Sequence, residues 1–150
     1  VALTQDSTSG WLLDTHALIW LRAGTLTAKP DDLEVLRLAA KAGAWFICSF
    51  SLSEIAYAVS RKRLLLDRPL PDWFHAALRR PGPGSLDITP EVAAATAALP
   101  ATFHGDPGDR ILAATAIVHN LTICTHDDLL LKFGKQGLYK ALKVSEIKEP

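Results

Sequence analysis

The stretch that most constrains this chain is Gly10-Trp11-Leu12-Leu13-Asp14-Thr15-His16-Ala17-Leu18-Ile19-Trp20, where a short apolar run stops at an acid and a helical pattern begins. A buried central strand hands over to a helix in this way in an open α/β sheet. Asp14 then falls at the strand's carboxyl end, the edge where such sheets place their ligands.

The remainder of the chain repeats the alternation. A helix over about Thr15 to Arg22 is closed by Ala23-Gly24, and a second opens at Pro30-Asp31-Asp32 and runs to Gly43. Ala44 to Ser49 reads as a second buried strand. Ser51-Leu52-Ser53-Glu54 starts a third helix, with Leu52, Ile55, Ala56 and Val59 as its apolar face and the basic run Arg61-Lys62-Arg63 at its end. Leu70 to Arg80 forms a further helix, broken by Pro81-Gly82-Pro83-Gly84. Ser85 to Ile88 is a third strand, Pro90 to Leu99 an alanine-rich helix, and Arg110 to His119 a helix whose smooth surface suits packing on a sheet. Leu121 to Thr125 is a fourth strand, His126 to Phe133 a helix, and Leu142-Lys143-Val144 a last edge strand. Strands alternating with helices imply a parallel sheet covered on both faces and joined by right-handed crossovers.

The chain's 150 residues suggest one domain, burying about 68–70% of the unfolded surface. With 16 basic against 16 acidic residues, no bulk charge announces a polyanionic partner, and any nucleic-acid binding must come from local patches. No apolar run approaches a membrane span, and Val1 to Ser9 lacks the pattern of a signal peptide. A cytoplasmic protein with a flexible extension over residues 1–9 is expected. The absence of Met, even at residue 1, suggests a start inside the natural reading frame or processing. Cys48 and Cys124 lie in apolar runs without ligand spacing and read as buried free thiols.

If strands one, two and four are parallel neighbours, at least three of four acids fall on one sheet edge. Asp14 ends the first strand, Glu54 lies in the first turn of the helix after the second, Asp109 opens the helix before the fourth strand, and Asp127 follows that strand. Each of the later three has a structural explanation: Ser51-x-x-Glu54 as a capping box, Asp106-Pro107-Gly108-Asp109 as N-cap, N1 and N3, and Thr125-x-x-Asp128 by the same scheme. Asp14 has no evident capping role. Convergence favours chemistry, because caps have no reason to gather whereas a hard divalent cation needs several carboxylate oxygens around one point. Two carboxylates about 4 Å apart repel by about 1 kcal/mol in water and about 4 kcal/mol at an effective dielectric near 20. Asp109 is preferred to Asp106 for sharing a helix face with Ala113 and Ala116, and Asp127 to Asp128 because the latter is assigned the N3 capping role.

At these residues the chain resembles a family. Leu-Leu-Asp14-Thr-His-Ala-Leu-Ile-Trp, Ser-Leu-Ser-Glu54, Asp-Pro-Gly-Asp109-Arg110-Ile-Leu-Ala-Ala-Thr-Ala and Leu-Thr-Ile-Cys-Thr-His-Asp127 look, in this order, like the motifs of PIN-domain ribonucleases. They are most similar to those of the VapC-type toxins of toxin–antitoxin pairs. The likeness runs from about Trp11 to Val144. It implies a three-layer α/β/α sandwich around a mostly parallel sheet of four to five strands. It further implies a Mg²⁺ or Mn²⁺ site made by Asp14, Glu54, Asp109 and Asp127, endonuclease action on RNA, homodimerisation, and inhibition by a small antitoxin. Many members carry Ser or Thr where this chain has His16, which marks a subfamily and leaves that residue's role open.

The chemistry stands beside the resemblance. Phosphodiester hydrolysis needs an activated water, a neutralised phosphate and a stabilised leaving oxygen, all of which carboxylate-bound Mg²⁺ can supply; all-oxygen ligands favour Mg²⁺ or Mn²⁺ over zinc. Asp14, Asp109 and Asp127 are the expected metal ligands, with Glu54 on a metal-bound water or a second ion. Arg61, Lys62 and Arg63 are the first candidates for RNA contact, against a plain role in complementing a helix C-terminus. His16, His104 and His126 leave open a two-metal phosphoesterase with imidazole ligands. A non-catalytic binding module on the same fold is the other alternative, and an aspartyl phosphotransferase is weaker because residue 16 is not an acid. Trp20, Leu64-Leu65-Leu66 and Trp73-Phe74 offer either core packing or an apolar face for a partner.

Overall fold

The computed structural model describes residues 10–148. The extension expected over residues 1–9 lies outside the described residues. Seven strands and seven helices follow in chain order among them. The strands are β1 (Trp11–Leu13), β2 (Leu26–Thr27), β3 (Trp45–Cys48), β4 (Gly84–Leu86), β5 (Thr122–Thr125), β6 (Lys140–Lys143) and β7 (Ser145–Glu146). The helices are α1 (Thr15–Ala23), α2 (Pro30–Lys41), α3 (Ser49–Ser60), α4 (Leu70–Leu78), α5 (Pro90–Ala97), α6 (Pro107–His119) and α7 (Asp128–Lys135).

Five strands form a wholly parallel sheet in the order β4-β3-β1-β5-β6, with β1 at its centre. Leu13 is in register with Ile47 on one side and Cys124 on the other, so the next residues of all three strands emerge at one edge. Asp14 is that next residue on β1.

Alternation along the strands sorts the core into two halves. Leu12, Cys48 and Ile123 point to one face and pack with Leu112, Ala113 and Ala116 of α6 and with Leu130 and Phe133 of α7. Leu13, Ile47 and Cys124 point to the other, against Ala17 and Leu18 of α1, Leu36 of α2, Ile55 of α3 and Trp73 and Ala77 of α4. The result is the expected three-layer α/β/α arrangement. Each fully buried Leu or Ile contributes about 1.5–3 kcal/mol relative to exposure. Both cysteines are free and buried, and burial pushes the Cys48 thiol up to about 11.

Several boundaries differ from the sequence expectation for identifiable reasons. Helix α3 starts at Ser49, two residues before the expected Ser51, because Ser51 is not a cap: it is buried, and its hydroxyl lies 3.0 Å from Thr15 Oγ1. Helix α6 starts at Pro107 on the Asp106 cap rather than at Arg110. The edge strand is Lys140–Lys143, and Val144 is buried beyond its end. The antiparallel pair of β2 and β7 was not expected, since two-residue strands carry no readable period. Gly24 closes α1 in the left-handed conformation that glycine adopts without strain, as its position predicted. Of the apolar residues considered for a partner face, Trp73 is buried in the core while Leu65 is 90% exposed.

Candidate active site

Asp14, Glu54, Asp109 and Asp127 all line one cavity of about 710 Å³ at the carboxyl edge of β1, β3 and β5. Each arrives there by a different local device. Asp14 is the N-cap of α1, a role the sequence reading did not assign to it: Oδ1 accepts from the Ala17 amide at 2.9 Å. Its Oδ2 accepts from Thr125 Oγ1 at 2.6 Å, and the residue is 8% exposed. The same Thr125 oxygen accepts from the Asp127 amide at 3.0 Å, so one buried hydroxyl ties two of the acids together.

Asp127 caps α7, its Oδ1 accepting from the Leu130 amide at 2.9 Å. The cap is therefore Asp127 itself and not Thr125, which corrects the Thr125-x-x-Asp128 scheme. Asp109 occupies N3 of α6, with its amide donating to the Asp106 cap at 2.9 Å and its Oδ2 2.7 Å from His104 Nε2. Glu54 lies in the second turn of α3 because that helix begins early, which removes the capping-box explanation. Its Oε1 accepts from Thr15 Oγ1 at 2.7 Å. Its Oε2 lies over Gly108, where an added Cβ would meet it at 2.8 Å and displace it.

The electrostatics follow from this crowding. Burial raises the Asp14 carboxyl above the usual range, against the pull of Thr125, the Ala17 amide and His16, with Asp109 adding repulsion. Burial likewise raises Glu54 and Asp109, each opposed by its hydrogen-bond donor and reinforced by neighbouring acids. Asp106 and Glu146 also line the cavity, so six carboxylates surround it with Arg63 as the one Lys or Arg on its wall among the described residues. Among those residues, no three acidic, imidazole or thiol side chains already stand close enough to hold one metal ion. The acids surround a space rather than converge on a point. That donor set nevertheless fits a hard divalent cation: it is rich in carboxylate oxygen, short of positive charge, and raised toward protonation in the way a cation relieves.

Of the other sequence candidates, Arg63 lines the cavity whereas Arg61 and Lys62 do not. Lys62 takes a left-handed conformation with φ of 59° in the turn that ends α3. His16 lines the cavity, while His104 and His126 do not. His104 is stacked on Phe103, and His126 Nδ1 lies 3.0 Å from the Val144 carbonyl oxygen. An imidazole-rich metal set is therefore not assembled. Arg110 faces away and ties down the preceding segment, donating to the Thr96 carbonyl at 2.8 Å. The sequence reading missed Thr15, Thr125 and Glu146. The two threonines sat inside quoted motifs next to acids, and that adjacency was the available signal; Glu146 came with the unforeseen β7.

A family model described as PIN domain matches residues 11–136. The chain belongs to the PIN-domain family. This PIN domain is 33% identical over 120 residues to Ribonuclease VapC22 of Mycobacterium tuberculosis, covering 77% of this chain and 85% of that protein. Its fold is similar to that of a chain in the structure of VapBC2 from Rickettsia felis bound to a promoter DNA fragment, with a TM-score of 0.66 and 20% identity over 90% of this chain and 98% of that one. A toxin–antitoxin complex from Klebsiella pneumoniae is similar at a TM-score of 0.53 and 22% identity, covering 79% and 87%.

Proposed function

We propose that this PIN domain is a metal-dependent endoribonuclease and the toxin of a toxin–antitoxin pair. The observation that carries the reading is the ring of six carboxylates, three of them raised by burial and mutual charge, around one cavity at the carboxyl edge of a parallel sheet. The family membership and the likeness to a protein named as a ribonuclease support RNA as the substrate.

In this reading Asp14, Asp109 and Asp127 hold Mg²⁺ or Mn²⁺, and Glu54 serves the attacking water or a second ion. The bound ion supplies Lewis-acid polarisation of the phosphate and a more acidic water. The chain's own groups do the rest. Thr125 holds Asp14 and fixes the approach of Asp127, and Thr15 holds one oxygen of Glu54 and leaves Oε2 turned toward Gly108. Glu54 Oε2, the oxygen that Thr15 does not hold, would take the proton of the attacking water. Arg63, which lines the cavity, would donate to a phosphate oxygen. A second copy of the chain and a small antitoxin are its proposed partners, and the cytoplasm its place of action. Among the described residues no helix is long and apolar enough to cross a membrane.

The test is cleavage of a mixed structured and single-stranded RNA pool with Mg²⁺, with Mn²⁺ and with EDTA, beside Asp14→Asn. Cleavage that requires the metal and is lost in the variant is expected. A folded, partner-free protein that cleaves nothing with either metal contradicts the reading.

A further inference from the structure

A second cleft lies beside the acid cavity and has the opposite charge. It holds about 1290 Å³ and runs past the edge strand β6, between the start of α2 and the length of α7. Lys29, Lys132, Lys135 and Lys143 line it, with Thr27 and Ser145. Asp32 and Asp128 line it too, so its lining carries four lysines and two acids. None of the four lysines takes part in an ion pair among the described residues, and all four are exposed. Lysine on an edge strand also protects against edge-to-edge pairing. That accounts for Lys143 and leaves Lys132 and Lys135, one turn apart on a helix, and Lys29 on a helix cap.

The groove and the cavity meet at two pairs of consecutive residues. Asp127 lines the cavity and Asp128 the groove; Glu146 lines the cavity and Ser145 the groove. The groove and the cavity are thus neighbours across Asp127–Asp128 and Ser145–Glu146, and a polymer with one phosphodiester in the cavity would cross that rim to reach the groove. Six carboxylates against Arg63 give the metal-free cavity no attraction for a polyanion, and a chain with 16 basic and 16 acidic residues has no overall charge to supply it, so attraction along the flanking backbone must be local.

We propose that this lysine groove is the track for the RNA backbone leading away from the cleavage site, with Lys29, Lys132, Lys135 and Lys143 as phosphate contacts. Thr27 and Ser145, paired across β2 and β7, offer hydroxyl partners to the sugar and phosphate oxygens. The assignment rests on the ribonuclease reading above for its substrate. This surface is separate from the basic run at the end of α3, which places only Arg63 on the cavity wall.

The experiment compares wild type with Lys132→Ala/Lys135→Ala, using Lys132→Arg/Lys135→Arg as the charge-retaining pair and Lys41→Ala as a distant charge control. Alanine keeps the helix, so loss of fold is not the expected confounder. Two readouts are taken: anisotropy binding of a long single-stranded RNA in EDTA, and kcat/KM in Mn²⁺ for that RNA relative to a fluorogenic dinucleotide. The alanine pair is expected to weaken binding about tenfold at low salt and to flatten the log–log salt dependence by about 1.4, near 0.7 for each lost phosphate contact. Its long-to-short ratio of kcat/KM falls by a similar factor, while the arginine pair and Lys41→Ala track wild type. Unchanged RNA binding and salt slope in the alanine pair overturn the proposal; if that pair has instead lost binding of a polyglutamate peptide, the groove belongs to an acidic protein segment. A wild type that cleaves neither substrate contradicts the ribonuclease reading, and the binding readout then still decides the groove.

Discussion

The acid cavity and the lysine groove are neighbours yet are built by opposite rules. In the cavity Asp14, Glu54, Asp109 and Asp127 each have an oxygen held by a hydroxyl, imidazole or backbone donor, and Asp14 is buried. In the groove the four lysines are exposed and without ion pairs among the described residues. Fixed geometry suits chemistry, where displaced ligands cost rate; mobile point charges suit a polymer backbone, where contact is tolerant and salt-dependent. Changes in the cavity should therefore act on kcat or metal affinity, and changes in the groove on KM and its response to salt.

The largest effect belongs to the proposed metal ligands. Asp14→Asn, Asp109→Asn or Asp127→Asn should lower kcat by more than the roughly 10–100-fold typical of groups that only orient a metal ligand. Single-turnover cleavage in Mn²⁺ checks this, and a variant that keeps most of its rate breaks the distinction between the two regions. Thr125→Val comes next. It removes the donor to Asp14 Oδ2 and the acceptor for the Asp127 amide without changing volume much. A loss of about 10–100-fold in Mn²⁺ affinity or activity is expected, with Thr125→Ser restoring most of it. Gly108→Ala should follow with about a tenfold drop in kcat, of the order of losing one positioned proton acceptor in part. Its Cβ would displace Glu54 Oε2 and approach Phe50 Cε1 at 3.1 Å.

The smallest effect is on stability. Asp14, Glu54 and Asp109 hold their protons more tightly folded than unfolded. Their contribution is fully present below the unfolded carboxylate pKa, about 4, and is lost as pH rises through the higher folded values. In EDTA, Asp14→Asn should therefore melt above wild type at pH 7.5 and lose that advantage near pH 4. At this chain length about 1 kcal/mol moves Tm by about 2–4 °C. A variant that melts lower at pH 7.5 by thermal denaturation would show that its cap and Thr125 contacts outweigh the charge.

Much of this was legible in the sequence because it rests on strand ends. Leu12-Leu13-Asp14 and Ile123-Cys124-Thr125 each show an apolar run stopping at a polar residue, and parallel pairing of β3, β1 and β5 brings those stops to one edge. Ser51 misled the reading, since its resemblance to a cap conceals a buried hydroxyl that meets Thr15 from a helix already two residues long. Asp14 misled it in the other direction: the acid caps α1 while it faces the cavity. The groove was illegible because its lysines come from the cap of α2, from α7 and from β6, and the β2–β7 ladder that adds Thr27 and Ser145 is too short to leave a pattern.

The most direct measurement of the central claim is calorimetric titration of Mn²⁺ into the metal-free protein and into Asp14→Asn at neutral pH. Saturable binding by the wild type, lost or weakened by at least about tenfold in the variant, is the expected result. Equal binding by both proteins, or none by a folded wild type, would contradict a metal site built on Asp14.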